Sequence, residues 1–172
     1  RTDEDTTKQI NVLSNDNDVD GDILNLDSVN QPDHGTTSKN SNKVEYVPNE
    51  NYCGSDSFTY TVTDGIETDA ATVNIDVTCI NDAPDANNDS TGTNENTDKT
   101  IDVLSNDEDV DGDELTIQSV TQPNHGTVTN NEQDITYSPD TSYTGTDEFT
   151  YTITDSSQTD TATVTITINN QN

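Results

Sequence analysis

Hydrophobic residues in this chain return at every second position in short runs, and no long segment carries them at helical spacing. Residues 57–63 (SFTYTVT) put Phe58, Tyr60 and Val62 on one face and hydroxyl-bearing residues on the other, the pattern of a half-buried strand. Residues 71–78 (ATVNIDVT) alternate in the same way, so the two runs predict a hairpin. Upstream, 8–13, 24–29, 36–38 and 44–47 read as further strands, the last stopped by Pro48. The series recurs at 99–104, 115–120, 127–129, 135–138, 148–154 and 162–168. A seventh strand should open each set. For the second set it lies in 86–92; for the first it would fall before Arg1 and is expected to be missing.

This recurrence is a duplication. Residues 10–81 align with 101–172 without a gap at an offset of 91, and 17 of 25 columns are identical between 11–35 and 102–126. A copied length of this size is a whole small domain. Seven short antiparallel strands per copy, with turns at regular intervals, predict two tandem Greek-key β-sandwiches of the immunoglobulin type, an all-β chain arranged end to end. Tyr52 and Tyr143, each followed two residues on by a glycine, are candidates for a tyrosine corner. The expected domains are 1–81 and 82–172. Residues 80–85 (INDAPD) join them, stiffened by Pro84 and too short to be a free linker.

Composition changes the picture. Only 26% of the 172 residues are hydrophobic, with no Trp and no Met, so each core is thin and needs a staple, a metal or a neighbour. The net charge is −30: residues 1–81 hold 16 acids and 4 bases, residues 82–172 hold 19 and 1. Nucleic acid is excluded as a partner, because binding it requires clustered Lys and Arg. An anionic membrane surface is disfavoured for the same reason, and no apolar run is long enough to insert into a bilayer. No signal peptide is read, and the piece is expected to come from inside a longer chain. Disorder is disfavoured, since the acids hold fixed repeat positions between alternating strands. Cys53 and Cys79 are replaced together in the second copy, by Thr144 and Asn170. They read as a disulfide at adjacent hairpin ends or as two separate buried thiols. A bonded pair would place the chain in an oxidising, extracellular compartment.

The motifs VLSNDxDVDGD, SVxQPxHGT, YxGxDxFTYTxTD, the ATVxI strand and the joint NDAP follow one another through nearly the whole chain. In that order they resemble bacterial cadherin-like tandem repeats of large secreted adhesins. The resemblance implies rod-forming modules at the bacterial cell surface or in biofilm, with calcium (Ca2+) holding the joints and neighbouring repeats as partners. The residues point the same way. Asp16, Asp18, Asp20 and Asp22, like Asp107, Asp109, Asp111 and Asp113, place carboxylates at steps of two before and after a glycine, as in the first half of an EF-hand loop. The twelfth positions are Asp27 and Gln118 rather than Glu, so the spacing predicts a calcium loop on a strand scaffold. Strand alternation brings the loop of 155–160 to the same end as 107–113. On the cadherin plan the joint should collect Glu4, Asp56, Asn81 and Asp82 against Asp109, Asp111, Asp113, Asp155 and Asp160. Asp64 and Asp69 join Asp16, Asp18, Asp20 and Asp22 as the equivalent set of the first copy, whose occupancy the sequence leaves open.

An enzyme is not expected. His34 and His125 are repeat equivalents in a turn, and no Ser-His-Asp arrangement can be built around them. The rival reading is a calcium-dependent carbohydrate-binding module with a polysaccharide or cell-surface ligand. All eight aromatic residues recur in both copies at strand or corner positions, which core packing explains, but calcium-bridged sugar binding needs no aromatic ring.

Overall fold

The computed structural model describes residues 1–171, and it divides into two compact units, Arg1–Ile80 and Asn81–Asn172. Neither contains an α-helix among the described residues. The first unit runs β1 (Thr2–Asp3), β2 (Lys8–Ile10), a 3-10 turn (Val12–Asn15), β3 (Asn25–Val29), β4 (Gly35–Asn40), β5 (Lys43–Pro48), β6 (Gly54–Thr63) and β7 (Thr68–Thr78). The second runs β8 (Asp89–Asn94), β9 (Lys99–Ile101), a 3-10 turn (Val103–Asn106), β10 (Thr116–Val120), β11 (Gly126–Asn130), β12 (Ile135–Pro139), β13 (Gly145–Thr154) and β14 (Thr159–Asn169). Each unit has one four-stranded and one three-stranded sheet. The orders are β1-β7-β6-β3 with β2-β5-β4, and β8-β14-β13-β10 with β11-β12-β9. The all-β, two-sandwich expectation therefore holds.

Three expectations change. The strands are not all antiparallel, because β1 pairs parallel to β7 and β8 parallel to β14. In a seven-stranded unit that reverses direction at each connection, the first and last strands run the same way, so they are parallel when they meet in one sheet. The first strand of the first unit is also not wholly missing. Its pairs Thr2↔Val77 and Asp3↔Thr78 repeat Thr93↔Ile168 and Asn94↔Asn169 at the offset of 91, so its last two residues are present as β1. Finally, 8–13 and 99–104 do not run through as strands. Each ends in a single 3-10 turn that tucks Val12 or Val103 inward, and alternation alone cannot separate that from a strand.

The inward residues are those that alternation selects. Tyr46, Phe58, Tyr60 and Ile75 lie in the core of the first unit; Tyr137, Phe149, Tyr151 and Ile166 are their counterparts in the second. The first core contains eight buried apolar side chains and the second thirteen, so the first has less apolar area removed from water. It carries the disulfide instead: Cys53 and Cys79 are bonded, with Cα atoms 4.9 Å apart. The QPxHG turns are held by their glutamines. Gln122 accepts from the Val128 amide and donates to its carbonyl, and Gln31 does the same with Thr37. Gly35 and Gly126 allow a close approach there, since a Cβ would lie 2.6 Å from the carbonyl of Val47 or Ser138.

Candidate metal centre

The acidic loops fold around one aspartate each. In the second unit Asp109 Oδ1 accepts the amides of Asp111 (3.0 Å) and Asp113 (3.1 Å), and Gly112 supplies the left-handed conformation (φ +78°) that the turn requires. Asp18 does the same for Asp20 and Asp22, with Gly21 at φ +86°. These loops are Asx turns, and the residues at the twelfth positions lie outside them. Asp27 and Gln118 sit at register shifts in β3 and β10, which removes them as closing ligands and explains the departure from an EF-hand.

In the second unit the stretch before β8 is laced onto two acidic loops. Asn81 Nδ2 donates to Asp155 Oδ2 (2.8 Å), and Gln158 Nε2 donates to the Asn81 carbonyl (2.7 Å). The Asp82 amide donates to Asp111 Oδ2 (2.8 Å) and the Ala86 amide to Asp160 Oδ2 (2.9 Å). Asp85 and Glu108 exchange backbone hydrogen bonds. The Asn87 amide donates to Asp107 (2.7 Å), whose carboxylate also lies 3.0 Å from the Tyr151 hydroxyl. The structure thus brings Asn81, Asp82, Asp111 and Asp155 together by hydrogen bonds, with Asp109 and Asp113 on the same turn as Asp111. Asp160 is engaged separately, on Ala86.

In the first unit Asp64 Oδ1 accepts the amides of Ile66 and Glu67 (both 2.7 Å), and Asp69 accepts that of Ala70 (2.8 Å). Asp16 receives the Tyr60 hydroxyl at 3.0 Å. Glu4 is buried, and its carboxylate accepts the amide of Ile80. Asp56 departs from the expectation of a surface ligand. It is buried, accepts the Tyr46 hydroxyl at 2.9 Å and caps the Ser57 amide at 2.8 Å. Its counterpart Asp147 takes the Tyr137 hydroxyl and the amides of Asn124, His125 and Glu148. A strand residue two places before Phe58 or Phe149 faces inward with it, and in the second unit that acid, Asp147, braces the neighbouring turn from inside. The tyrosine-corner candidates differ too: Tyr52 and Tyr143 donate to carbonyls three residues downstream, on Ser55 and Thr146, rather than upstream. His34 and His125 stack on these rings at 4.1 Å, packed as the repeat equivalence suggested.

Sequence reading passed over Glu95 and Asp89, and it placed Asp107 in the acidic loop without its buried contact. Glu95 repeats Glu4, accepting the Gln171 amide, and the offset of 91 alone would have found it. Asp89 and Asp107 flank the Tyr151 hydroxyl. Burial pushes both carboxyls above their ordinary value of 3.8; Asp102 and Asp107 add to the shift at Asp89, and Asp85 and Asp160 to that at Asp107. The Gln158 amide, the Asn81 side chain and the Ser157 amide hold Asp155 below it. Burial raises the hydroxyls as well, that of Tyr60 to about 12 and that of Tyr151 further still.

The signs give a pH dependence. A carboxyl raised in the folded state costs stability above its folded pKa, and that cost vanishes as pH falls toward 3.8. The support from Asp155 is present above 3.8 and lost only below it. In chelator, the second unit should therefore resist urea better as pH falls from neutral to about 4 to 5, then weaken. A steady loss from neutral pH downward, followed by urea titration at each pH, would contradict this balance.

The donor set suits a hard cation. Asp109 Oδ2 is buried and has no hydrogen-bond partner, an oxygen that a cation would satisfy. Within either unit alone, among the described residues, no three acidic, histidine or cysteine side chains bring ligand atoms within 4.8 Å of one another. The second unit has no ion pair among its described residues to offset its acids. Oxygen ligands without histidine or thiolate match calcium and not zinc.

Comparison with known proteins adds the following. Human protocadherin-24 EC1-2 is similar over 90% of this chain and 85% of its own, at 18% identity and a TM-score of 0.54. Drosophila N-cadherin EC1-3 is similar over 90% of this chain and 57% of its own, at 10% identity and a TM-score of 0.40. An endo-fucoidan hydrolase from glycoside hydrolase family 107 is similar over 99% of this chain at 23% identity and a TM-score of 0.41, and the chain spans 27% of that enzyme's length. The likeness to protocadherin-24 concerns the fold alone. No curated protein was found to match. No helix among the described residues is long and apolar enough to cross a membrane. A family model described as bacterial Ig domain matches residues 1–76 and again 81–167. Two sandwiches of one topology, each matched in turn by that model, establish that the chain belongs to the bacterial Ig domain family.

Proposed function

We propose that this tandem pair is a calcium-rigidified spacer of a large extracellular bacterial protein, serving adhesion or biofilm rather than catalysis. The observation that carries the reading is the buried, unpartnered Asp109 oxygen beside Asp111, Asp113, Asp155 and the tethered Asn81–Asp82 pair. Glu4 is tied to the amide of Ile80, and Asp82 follows two residues later, within about 7 Å of chain. Calcium would be held by Glu4, Asn81, Asp82, Asp109, Asp111, Asp113 and Asp155. It would supply positive charge where the chain has almost none and fix one angle between the units. Binding to the folded form only adds about 2.7 kcal/mol at a calcium concentration 100 times Kd. Neither histidine is offered as a catalytic base, since both rings are stacked.

Small-angle scattering tests this. The wild-type chain should have a narrow distribution of dimensions in calcium and a broad one in chelator. Asp111→Ala should scatter like the chelated chain in both buffers while hydrogen exchange shows each sandwich folded. Identical wild-type curves with and without calcium would remove the stiffening role.

A further inference from the structure

We infer that the Cys53–Cys79 disulfide positions Glu4 for calcium, by closing a ring of contacts that keeps its carboxylate inside the fold. The inference rests on the calcium reading. Glu4 follows β1 directly, and Asp5 turns the chain away at φ +54°. The Glu4 amide donates to the Thr78 carbonyl at 3.0 Å, and the Glu4 carboxylate accepts the Ile80 amide. Cys79 lies between those two partners. The β6–β7 ladder has ended at Gly54↔Val77, and the bridge ties residues 78–80 back to the chain before β6. On the Cys53 side the Tyr52 amide donates to the Asn49 carbonyl at 3.1 Å, and the Asn51 amide donates to Asp5 Oδ1 at 3.1 Å. The path thus runs from Glu4 to Ile80, through the bridge toward Asn51, and back to Asp5 beside Glu4. Glu4 is 5% exposed. A carboxylate at that depth is driven out toward water once its amide partner moves away.

The second unit builds the same ring without the covalent link. The Glu95 amide donates to the Asn169 carbonyl at 2.8 Å, and the Glu95 carboxylate accepts the Gln171 amide at 3.1 Å. Asn96 Oδ1 accepts the Ser142 amide at 3.0 Å, and Thr144 and Asn170 stand where the cysteines would be. The hydrogen bonds therefore form without a bridge. What the bridge adds is persistence, in the unit with the smaller apolar core. Apparent affinity scales with the fraction of time that the binding form is populated. A ring closed only about a tenth of the time would hold calcium about tenfold more weakly.

The test gives the full chain the second unit's own pair, Cys53→Thr with Cys79→Asn, residues with which that sandwich folds unbridged. Amide hydrogen exchange is read first in chelator, where no ion contributes. The Ile80 amide should lose most of its protection while amides within the β6–β7 ladder stay protected. Calcium titration by calorimetry comes second, and the unbridged chain should bind about tenfold more weakly than the wild type. The third arm repeats the titration on Glu4→Ala with and without the bridge. Removing the bridge there should change nothing further, because the group it positions is gone. Unchanged exchange at Ile80, or equal calcium affinity with and without the bridge, overturns the positioning role and leaves the calcium reading standing. A bridge effect that persists in full on Glu4→Ala also overturns it, since the bridge would then act through the stability of the whole unit. A wild-type chain that binds no calcium would remove the calcium reading and this inference with it.

Discussion

Replacing Cys53 and Cys79 together with alanine should lower the unfolding free energy of the first unit by about 3.5 kcal/mol and leave the second unchanged. The bridge spans 26 residues, and closing a loop of that length restricts the unfolded chain by about this amount at 25 °C. It closes the open end of the β6–β7 hairpin, beyond the pair Gly54↔Val77, so the folded geometry needs no other change. For a unit of this size the loss corresponds to about 15 to 25 °C in Tm. The first unit is the one that needs it, with eight buried apolar side chains against thirteen. Calorimetry should show one transition displaced and one in place. Both transitions staying where they were would mean that the bridge does not restrict the unfolded state.

The second large effect is expected from Asp147→Ala. This buried carboxylate accepts the Tyr137 hydroxyl at 3.0 Å and the amides of His125 at 3.0 Å and Asn124 at 3.2 Å. Its removal takes an acceptor from two amides of the exposed turn and from the Tyr137 hydroxyl, which keeps the His125 carbonyl at 3.2 Å. At about 1 to 3 kcal/mol for each weakened group, relieved by water at the turn, the cost should be about 2 to 4 kcal/mol. Tyr137→Phe should cost less in the Asp147→Ala background than in the wild type, because the hydroxyl has then already lost its carboxylate partner. Urea unfolding of the single and double variants reads the coupling, and strict additivity would show that Tyr137 and Asp147 do not depend on each other. The matching change at Asp56 should cost less, since Asp56 accepts Tyr46 and its neighbour's amide without the two turn amides.

Alternation made the hairpins legible. Residues 57–63 and 71–78 fall inside β6 and β7, because each inward residue there is apolar and each outward one is polar. The polar strands were harder. β4 extends to Gly35–Asn40 where only 36–38 was read, and β8 is Asp89–Asn94 where 86–92 was expected. Such edge strands are held by their backbones, and their side chains carry no period to read. The acidic loops were legible as loops, since Asp, Asn and Gly at those spacings form Asx turns whatever they bind. Asp56 and Asp107 were not separable by composition. One is turned inward by strand parity, and the other is half-buried against Tyr151 and the segment before β8, a contact between distant parts of the sequence.

The parallel closure of the second unit has a mechanical consequence. The chain enters at β8 and leaves at β14, and these two strands are bonded neighbours over six residue pairs, from Asp89↔Val164 to Asn94↔Asn169. Tension applied through the two ends pulls them in opposite directions along their common axis, so all the bonds between them are loaded in shear at once. Rupture then requires their concerted failure, and resistance to force is set by that barrier rather than by the overall stability of the sandwich. In the first unit β1 meets β7 in the same parallel sense, at Thr2↔Val77 and Asp3↔Thr78, so a pull through that pairing is likewise a shear.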